Sequence, residues 1–132
     1  VCGARHRRRQ HTLTIVSVND VYELEHLPKL KTLVDQTRRS ETHVITTLSG
    51  DFVSPSVLSG LDRGRGMVSV LNEIGVDYAC LGNHEADVGL DALGRRCAEF
   101  RGTILNSNVP WAAENVADYA VLELEVGDGI RR

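Results

Sequence analysis

Apolar residues recur along the chain with two different periods, which predict strands and helices in alternation. Short β-branched or apolar runs of strand length alternate with stretches in which apolar residues return every three to four positions. The predicted order is β-α-β-α-β-α-β. The predicted strands are Thr12–Val18, His43–Leu48, Val76–Leu81 and Thr103–Asn106, and the predicted helices are Leu27–Arg39, Met67–Ile74 and Leu90–Phe100, the last with Leu90, Leu93, Cys97 and Phe100 facing inward.

Such alternation is typical of a parallel sheet covered by helices, which binds its ligands at the carboxyl ends of the strands. Polar residues follow the first three predicted strands where each one ends. We therefore expect them to converge at one edge of the sheet. They are Asn19 and Asp20 after the first strand, Gly50 and Asp51 after the second, and Gly82, Asn83 and His84 after the third.

The end of the chain has a different pattern. Apolar and acidic residues alternate over Tyr119–Val126, which predicts a strand with one solvated face. Gly127, Asp128 and Gly129 then predict a hairpin turn. Only Ile130 to Arg132 remain for the returning strand, and the chain has no initiator Met, so we expect a piece of a longer product, cut within a hairpin.

Length and charge favour one globular domain, or part of one, over a nucleic-acid-binding body. The 132 residues are 42% hydrophobic, and 18 acidic residues against 15 basic ones give a net charge of -3. Basic residues cluster in the first eleven positions, which we interpret as a solvated, disordered arm; the alternative is a salt-sensitive nucleic-acid-binding segment. Residues 12–132 would then form the domain.

The cysteines and the hydropathy of the chain bear on its redox compartment and on whether it spans a membrane. Cys2, Cys80 and Cys97 are odd in number and widely spaced, which indicates neither a disulfide framework nor a structural zinc site and favours a reducing, cytoplasmic compartment. No run of about 18 apolar residues is present, so no membrane span is predicted.

The residues at the strand ends suit metal-assisted phosphoryl chemistry. Asp20, Asp51 and Asn83 offer the oxygen donors that hard divalent ions prefer, and they form a partial ligand set. His84 is placed to act as an acid or to stabilise charge, and Asp87 could fix its tautomer. Taken singly, each has a simpler explanation as a turn former, a helix cap or a structural histidine; their occurrence at three successive strand ends favours a site.

These segments resemble the opening motifs of the calcineurin-like metallophosphoesterases, and in particular their 5'-nucleotidase branch. The similarity lies in VNDVYELEHLPKLKTLVD, LSGDFVSPSVLSG, MVSVLNEIGVDYACLGNHEADVG and ILNSNVPW. It implies the N-terminal part of a four-layer α/β/β/α sandwich and hydrolysis of phosphate esters, most closely 5'-nucleotides, by a metal-activated water. It also implies two divalent ions, for which Mn²⁺, Zn²⁺, Mg²⁺ and Fe remain open.

The resemblance also assigns roles to individual residues. Asp20 matches a ligand of the first metal, Asp51 the bridging carboxylate and Asn83 a ligand of the second metal. His84 matches the catalytic histidine, with Asp87 as its orienting partner.

Two departures from the family pattern leave alternatives open. Tyr22 stands where the pattern D-x-H has a second ligand of the first metal, and no histidine follows His84 to supply the later metal ligands. We therefore expect this chain to be inactive alone, as part of an active parent protein. The alternatives are a non-catalytic relative of the enzymes and a phosphodiesterase acting on another phosphoester.

Overall fold

The computed structural model describes residues 11–109, 115–126 and 129–131, and its main element is a five-stranded parallel sheet. Strands neighbour one another in sequence order and share one direction. The strands are β1 (Thr14–Val18), β2 (Val44–Ser49), β3 (Tyr78–Cys80), β4 (Thr103–Leu105) and β5 (Val116–Ala117). The helices are α1 (Leu27–Ser40), α2 (Val57–Asp62), α3 (Arg65–Ile74) and α4 (Leu90–Glu99), with a 3₁₀ helix over Glu85–Val88.

The predicted alternation and the α/β class are confirmed, and the structure adds two elements that periodicity did not predict. One is α2, which begins in a capping box between Ser56 and Ser59 and is followed by its C-cap residue Arg63, in the left-handed region with φ 52°. The other is β5, whose two residues are too few to show a period. Both elements are too short for an apolar repeat to identify them.

All of the long helices cover the same face of the sheet. Right-handed connections between strands that advance in one direction place each helix on the same side, and α3 contacts both α1 and α4. Burial alternates accordingly in β2, where Thr46 and Leu48 are buried and Thr47 is not. The core between sheet and helices comprises Leu27, Val34, Leu48, Phe52, Val53, Met67, Val68, Leu71, Ile74, Val76, Ala79, Leu93, Cys97, Phe100 and Ile104.

The inward face predicted for the third helix is confirmed except at its first residue. Leu93, Cys97 and Phe100 are buried, whereas Leu90 is 59% exposed, so the prediction for Leu90 is wrong. Leu90 begins α4 directly after Gly89. Its side chain lines an open groove beyond the strand ends and does not pack beneath the sheet.

The predicted strand near the chain end is shorter than expected. Only β6 (Leu124–Val126) forms, and it pairs antiparallel with β7 (Gly129–Arg131), which confirms the hairpin. Tyr119 is 75% exposed and has no strand partner within the described part of the chain, so the predicted strand over the residues before Leu124 is wrong. Turn residues 127 and 128, and residues 1–10 of the basic arm predicted over residues 1–11, lie outside the described residues.

Two further expectations concern cysteines and membranes. Cys80 and Cys97 are free thiols, and Cys2 lies outside the described residues. No helix among the described residues has the length and apolar character needed to cross a bilayer.

Candidate active site

Three loops at the carboxyl ends of β1, β2 and β3 bring the predicted site residues to one edge of the sheet. The backbone N–H of Asp20 donates to the carbonyl of Gly50 at 3.2 Å, which joins the first two loops. The backbone N–H of His84 donates to Asp51 Oδ1 at 2.9 Å, which joins the second and third. The convergence of the strand ends is therefore a property of the fold.

Both aspartates have unusual backbone conformations. Asp20 and Asp51 have φ values of 53° and 56°, in the left-handed region that most side chains avoid. Aspartate tolerates this region better than most residues, and strained residues of this kind concentrate at functional sites. Both aspartates therefore have conformations that occur in turns as well as at functional sites.

Gly82 lets the Asp51 carboxylate approach the third loop. A Cβ atom on Gly82 would lie 2.1 Å from Asp51 Oδ1 and 2.8 Å from the Asp51 backbone nitrogen. Any side chain at this position would therefore displace the carboxylate.

His84 and Asp87 form the pair predicted from their spacing. His84 Nδ1 and Asp87 Oδ2 are 2.8 Å apart, and both side chains are partly exposed. The hydrogen bond to Asp87 raises the pKa of His84 above its ordinary value. With Nδ1 engaged by Asp87, Nε2 is the ring nitrogen available to a ligand.

Glu85 is an important residue of this edge to which the sequence analysis gave no role. Its side chain is 1% exposed, and its carboxylate accepts hydrogen bonds from the backbone N–H groups of Asp51 (3.0 Å), Phe52 (2.7 Å), Val53 (3.1 Å) and Gly82. It thus ties the Asp51 loop to the third loop. The only signal in the sequence was its place beside His84 in the GNHE motif.

Tyr22 contacts the first aspartate and the histidine. Its hydroxyl donates to Asp20 Oδ1 at 2.8 Å, and Asn19 Nδ2 donates to Asp20 Oδ2. The Tyr22 ring meets the His84 ring edge-on, with centroids 6.2 Å apart and an interplanar angle of 85°. The hydrogen bond from Tyr22 lowers the pKa of Asp20, and the same bond raises the pKa of Tyr22 to about 12.

Asn83 is exposed beside a groove of about 800 Å³. The groove runs from the β3 loop towards the loop after β4. Its other lining residues include Leu81, Leu90, Leu93, Leu105, Asn108 and Val109. Asn83 thus lies at the boundary between the strand-end loops and a mostly apolar surface.

The candidate metal ligands suit a divalent ion in type but do not form a complete site. Two carboxylates and an amide are suitable ligands for a hard ion, so Asp20, Asp51 and Asn83 fit such an ion in type. Yet within residues 11–109, 115–126 and 129–131 no group of three or more His, Cys, Asp or Glu side chains is arranged to hold a metal. The described residues can therefore contribute to a metal site without completing it.

A family model and a sequence relative assign the chain to the same protein family. Residues 13–130 match the family described as calcineurin-like phosphoesterase. The chain is 32% identical over 108 residues to the 5'-nucleotidase of Bos taurus, an alignment that covers 77% of this chain and 19% of that protein. This chain therefore spans about a fifth of the length of that relative.

Solved structures show the same fold. The NAD nucleotidase of Haemophilus influenzae superposes with a TM-score of 0.68 at 19% identity, over 73% of this chain and 20% of that chain. A 5'-nucleotidase precursor from Thermus thermophilus superposes with a TM-score of 0.67 at 19% identity, over 73% of this chain and 22% of that chain.

Proposed function

The chain belongs to the calcineurin-like phosphoesterase family, and on this premise we propose that the protein hydrolyses phosphate esters, with 5'-nucleotides as the substrate class. The observation that carries the proposal is the 2.9 Å hydrogen bond from the backbone N–H of His84 to Asp51 Oδ1, which joins the loop of a candidate metal ligand to the loop of a candidate catalytic residue. The nucleotide substrate class is supported by the bovine relative and by the two bacterial structural neighbours, all of which are nucleotidases by name.

Asp20, Asp51 and Asn83 are proposed to hold two divalent ions together with ligands from outside the described residues. Asp51, which resembles the family's bridging carboxylate, would hold the ions from the middle loop, which hydrogen bonds join to the Asp20 loop and to the β3 loop. When bound, the ions would activate the attacking water and stabilise negative charge on the phosphoryl oxygens.

His84 is proposed to act on the phosphoryl group or the leaving oxygen. Asp87 engages Nδ1, so that Nε2 of a protonated ring would present its proton in a defined direction. The hydrogen bond to Asp87 raises the pKa of His84, whereas bound divalent ions would lower that pKa. A positive imidazolium would stabilise the charge that develops on the phosphoryl oxygens in the transition state.

A substrate panel tests the proposal on the native gene product that contains this chain. The protein would first be freed of metal with a chelator and then supplied in turn with Mn²⁺, Zn²⁺, Mg²⁺ and Fe²⁺. Each form would be assayed on AMP, NAD, the diester bis(p-nitrophenyl) phosphate and a phosphopeptide. We expect metal-dependent phosphate release from AMP that exceeds hydrolysis of the diester. Faster hydrolysis of the diester or the phosphopeptide would overturn the substrate class, and no hydrolysis of any ester with any ion would overturn the proposed reaction.

A further inference from the structure

The Asp20 carboxylate already accepts hydrogen bonds on both of its oxygens. Tyr22 donates to Oδ1 at 2.8 Å and Asn19 donates to Oδ2. In Asp51, by contrast, only Oδ1 accepts a hydrogen bond from the described residues, and its donor is the backbone N–H of His84. The Asp51 carboxylate therefore has more lone pairs free to bind a metal ion than the Asp20 carboxylate has.

This difference matters for an ion at the Asp20 position. A carboxylate that accepts a donor on each oxygen can still bind an ion through one remaining lone pair, but these contacts compete with bidentate binding. A phenol that donates its proton to a carboxylate offers no anionic oxygen to the same ion. Tyr22 thus occupies a ligand position near Asp20 without adding a strong ligand.

We propose that Tyr22 makes the two metal positions unequal, so that the protein holds one divalent ion tightly at Asp51 and Asn83 and a second at least ten-fold more weakly at Asp20. This inference rests on the proposed function, because it concerns the same site. Tyr22 is a positioning residue: it acts through Asp20, and its ring lies edge-on to His84. The second ion would then be taken up only at higher metal concentration.

Titration calorimetry with Mn²⁺ tests the inference on the native gene product after a chelator has removed its metal, with no substrate present. Wild type is expected to give a two-step isotherm with dissociation constants at least ten-fold apart. Tyr22→His supplies an imidazole ligand and should tighten the weak step at least ten-fold. Tyr22→Phe removes only the hydroxyl and should tighten it less than Tyr22→His does.

Tyr78→Phe is the matched control, because Tyr78 begins β3 at the opposite end of the strand from the site. It should leave both steps unchanged. Two equally tight ions in wild type, no Mn²⁺ binding in wild type, or a weak step that Tyr22→His does not change would each overturn the inference. The wild-type isotherm alone decides the first two outcomes if a variant fails to fold.

The outcomes also separate this inference from the proposed function. Hydrolysis of AMP together with two equally tight ions would overturn the role of Tyr22 and leave the reaction intact. A two-step isotherm that responds to Tyr22→His, without hydrolysis of any ester, would support the role of Tyr22 and overturn the reaction.

Discussion

The buried carboxylate of Glu85 accepts a hydrogen bond of 2.7 Å from the backbone N–H of Phe52. The same carboxylate accepts from Asp51, Val53 and Gly82. Buried N–H groups need partners, so one side chain fulfils this need for two loops that are distant in sequence. The position of Asp51 relative to His84 therefore depends on Glu85.

Replacing Glu85 should destabilise the protein strongly. Glu85→Ala leaves four backbone N–H groups without this acceptor, two of them buried, and we expect a loss of roughly 2–5 kcal/mol in the free energy of unfolding. Glu85→Gln keeps the shape but turns an amide NH₂ towards N–H donors, with an expected loss of about 1–3 kcal/mol. Urea unfolding monitored by circular dichroism measures both.

Glu73→Gln is the control for the Glu85 variants. Glu73 is 3.6 Å from Arg101 in an ion pair whose side chains are 76% and 74% exposed. Exposed pairs of this kind contribute about 0–1 kcal/mol, so this change should be close to neutral. If Glu85→Gln were as mild as Glu73→Gln, the carboxylate could not be what holds the loops together.

Gly82→Ala should disturb the site directly. The new Cβ would lie 2.1 Å from Asp51 Oδ1, so the Asp51 carboxylate must move, with an expected stability loss of about 1–3 kcal/mol from overpacking. Phosphate release by the native gene product should fall together with the stability. Both the urea midpoint and the rate on AMP are measured.

Gly94→Ala provides the comparison for Gly82→Ala. Gly94 lies inside α4, and a Cβ there would meet nothing within 4 Å. Since alanine favours helix over glycine, this variant should gain about 0.5–1 kcal/mol. Equal effects of the two alanines would refute the claim that Gly82 makes room for Asp51.

The sequence predicted the strand ends better than it predicted the contacts among them. Alternating periods located β1, β2 and β3, and the parallel topology that followed placed Asp20, Asp51 and His84 at one edge. This part succeeded because periodicity reports the burial of whole elements. The pairing of His84 with Asp87 was also predictable, since Asp87 follows His84 at position i+3.

The role of Glu85 was beyond reach of the same reasoning. A single carboxylate carries no period, and it is buried because Phe52 and Val53 approach it from a loop more than 30 residues earlier in the chain. The predicted burial of Leu90 was wrong for a related reason. Its helical spacing was correct, but the first turn of α4 lies beside an open groove, so exposure depended on the tertiary structure.

His84→Ala and Asp51→Ala should separate catalysis from metal binding. In the native gene product, His84→Ala is expected to lower turnover by about 10²–10⁴-fold, because it removes an acid or charge-stabilising group, while metal content changes little. Asp51→Ala should abolish both, since it removes the proposed bridging ligand. Turnover on AMP and metal content by atomic absorption are compared for each variant.

His43→Ala is the control for that pair. His43 immediately precedes β2, at the opposite end of that strand from the site, so both turnover and metal content should stay at the wild-type level. Equal metal loss in His84→Ala and Asp51→Ala would contradict the separate roles proposed for the two residues.

Cys97 should make stability fall at high pH. Its side chain has no exposed surface, and burial raises its pKa from an ordinary value near 9 to about 11. The unfolded chain therefore ionises this thiol before the folded protein does, so its contribution to stability is complete below pH 9 and is lost as the pH rises through about 11. Between pH 8 and pH 10.5, the urea midpoint should fall less in Cys97→Ala than in wild type. Because Cys97 is the only residue that differs between the two proteins, equal slopes would show that Cys97 ionises as freely in the folded protein as in the unfolded chain.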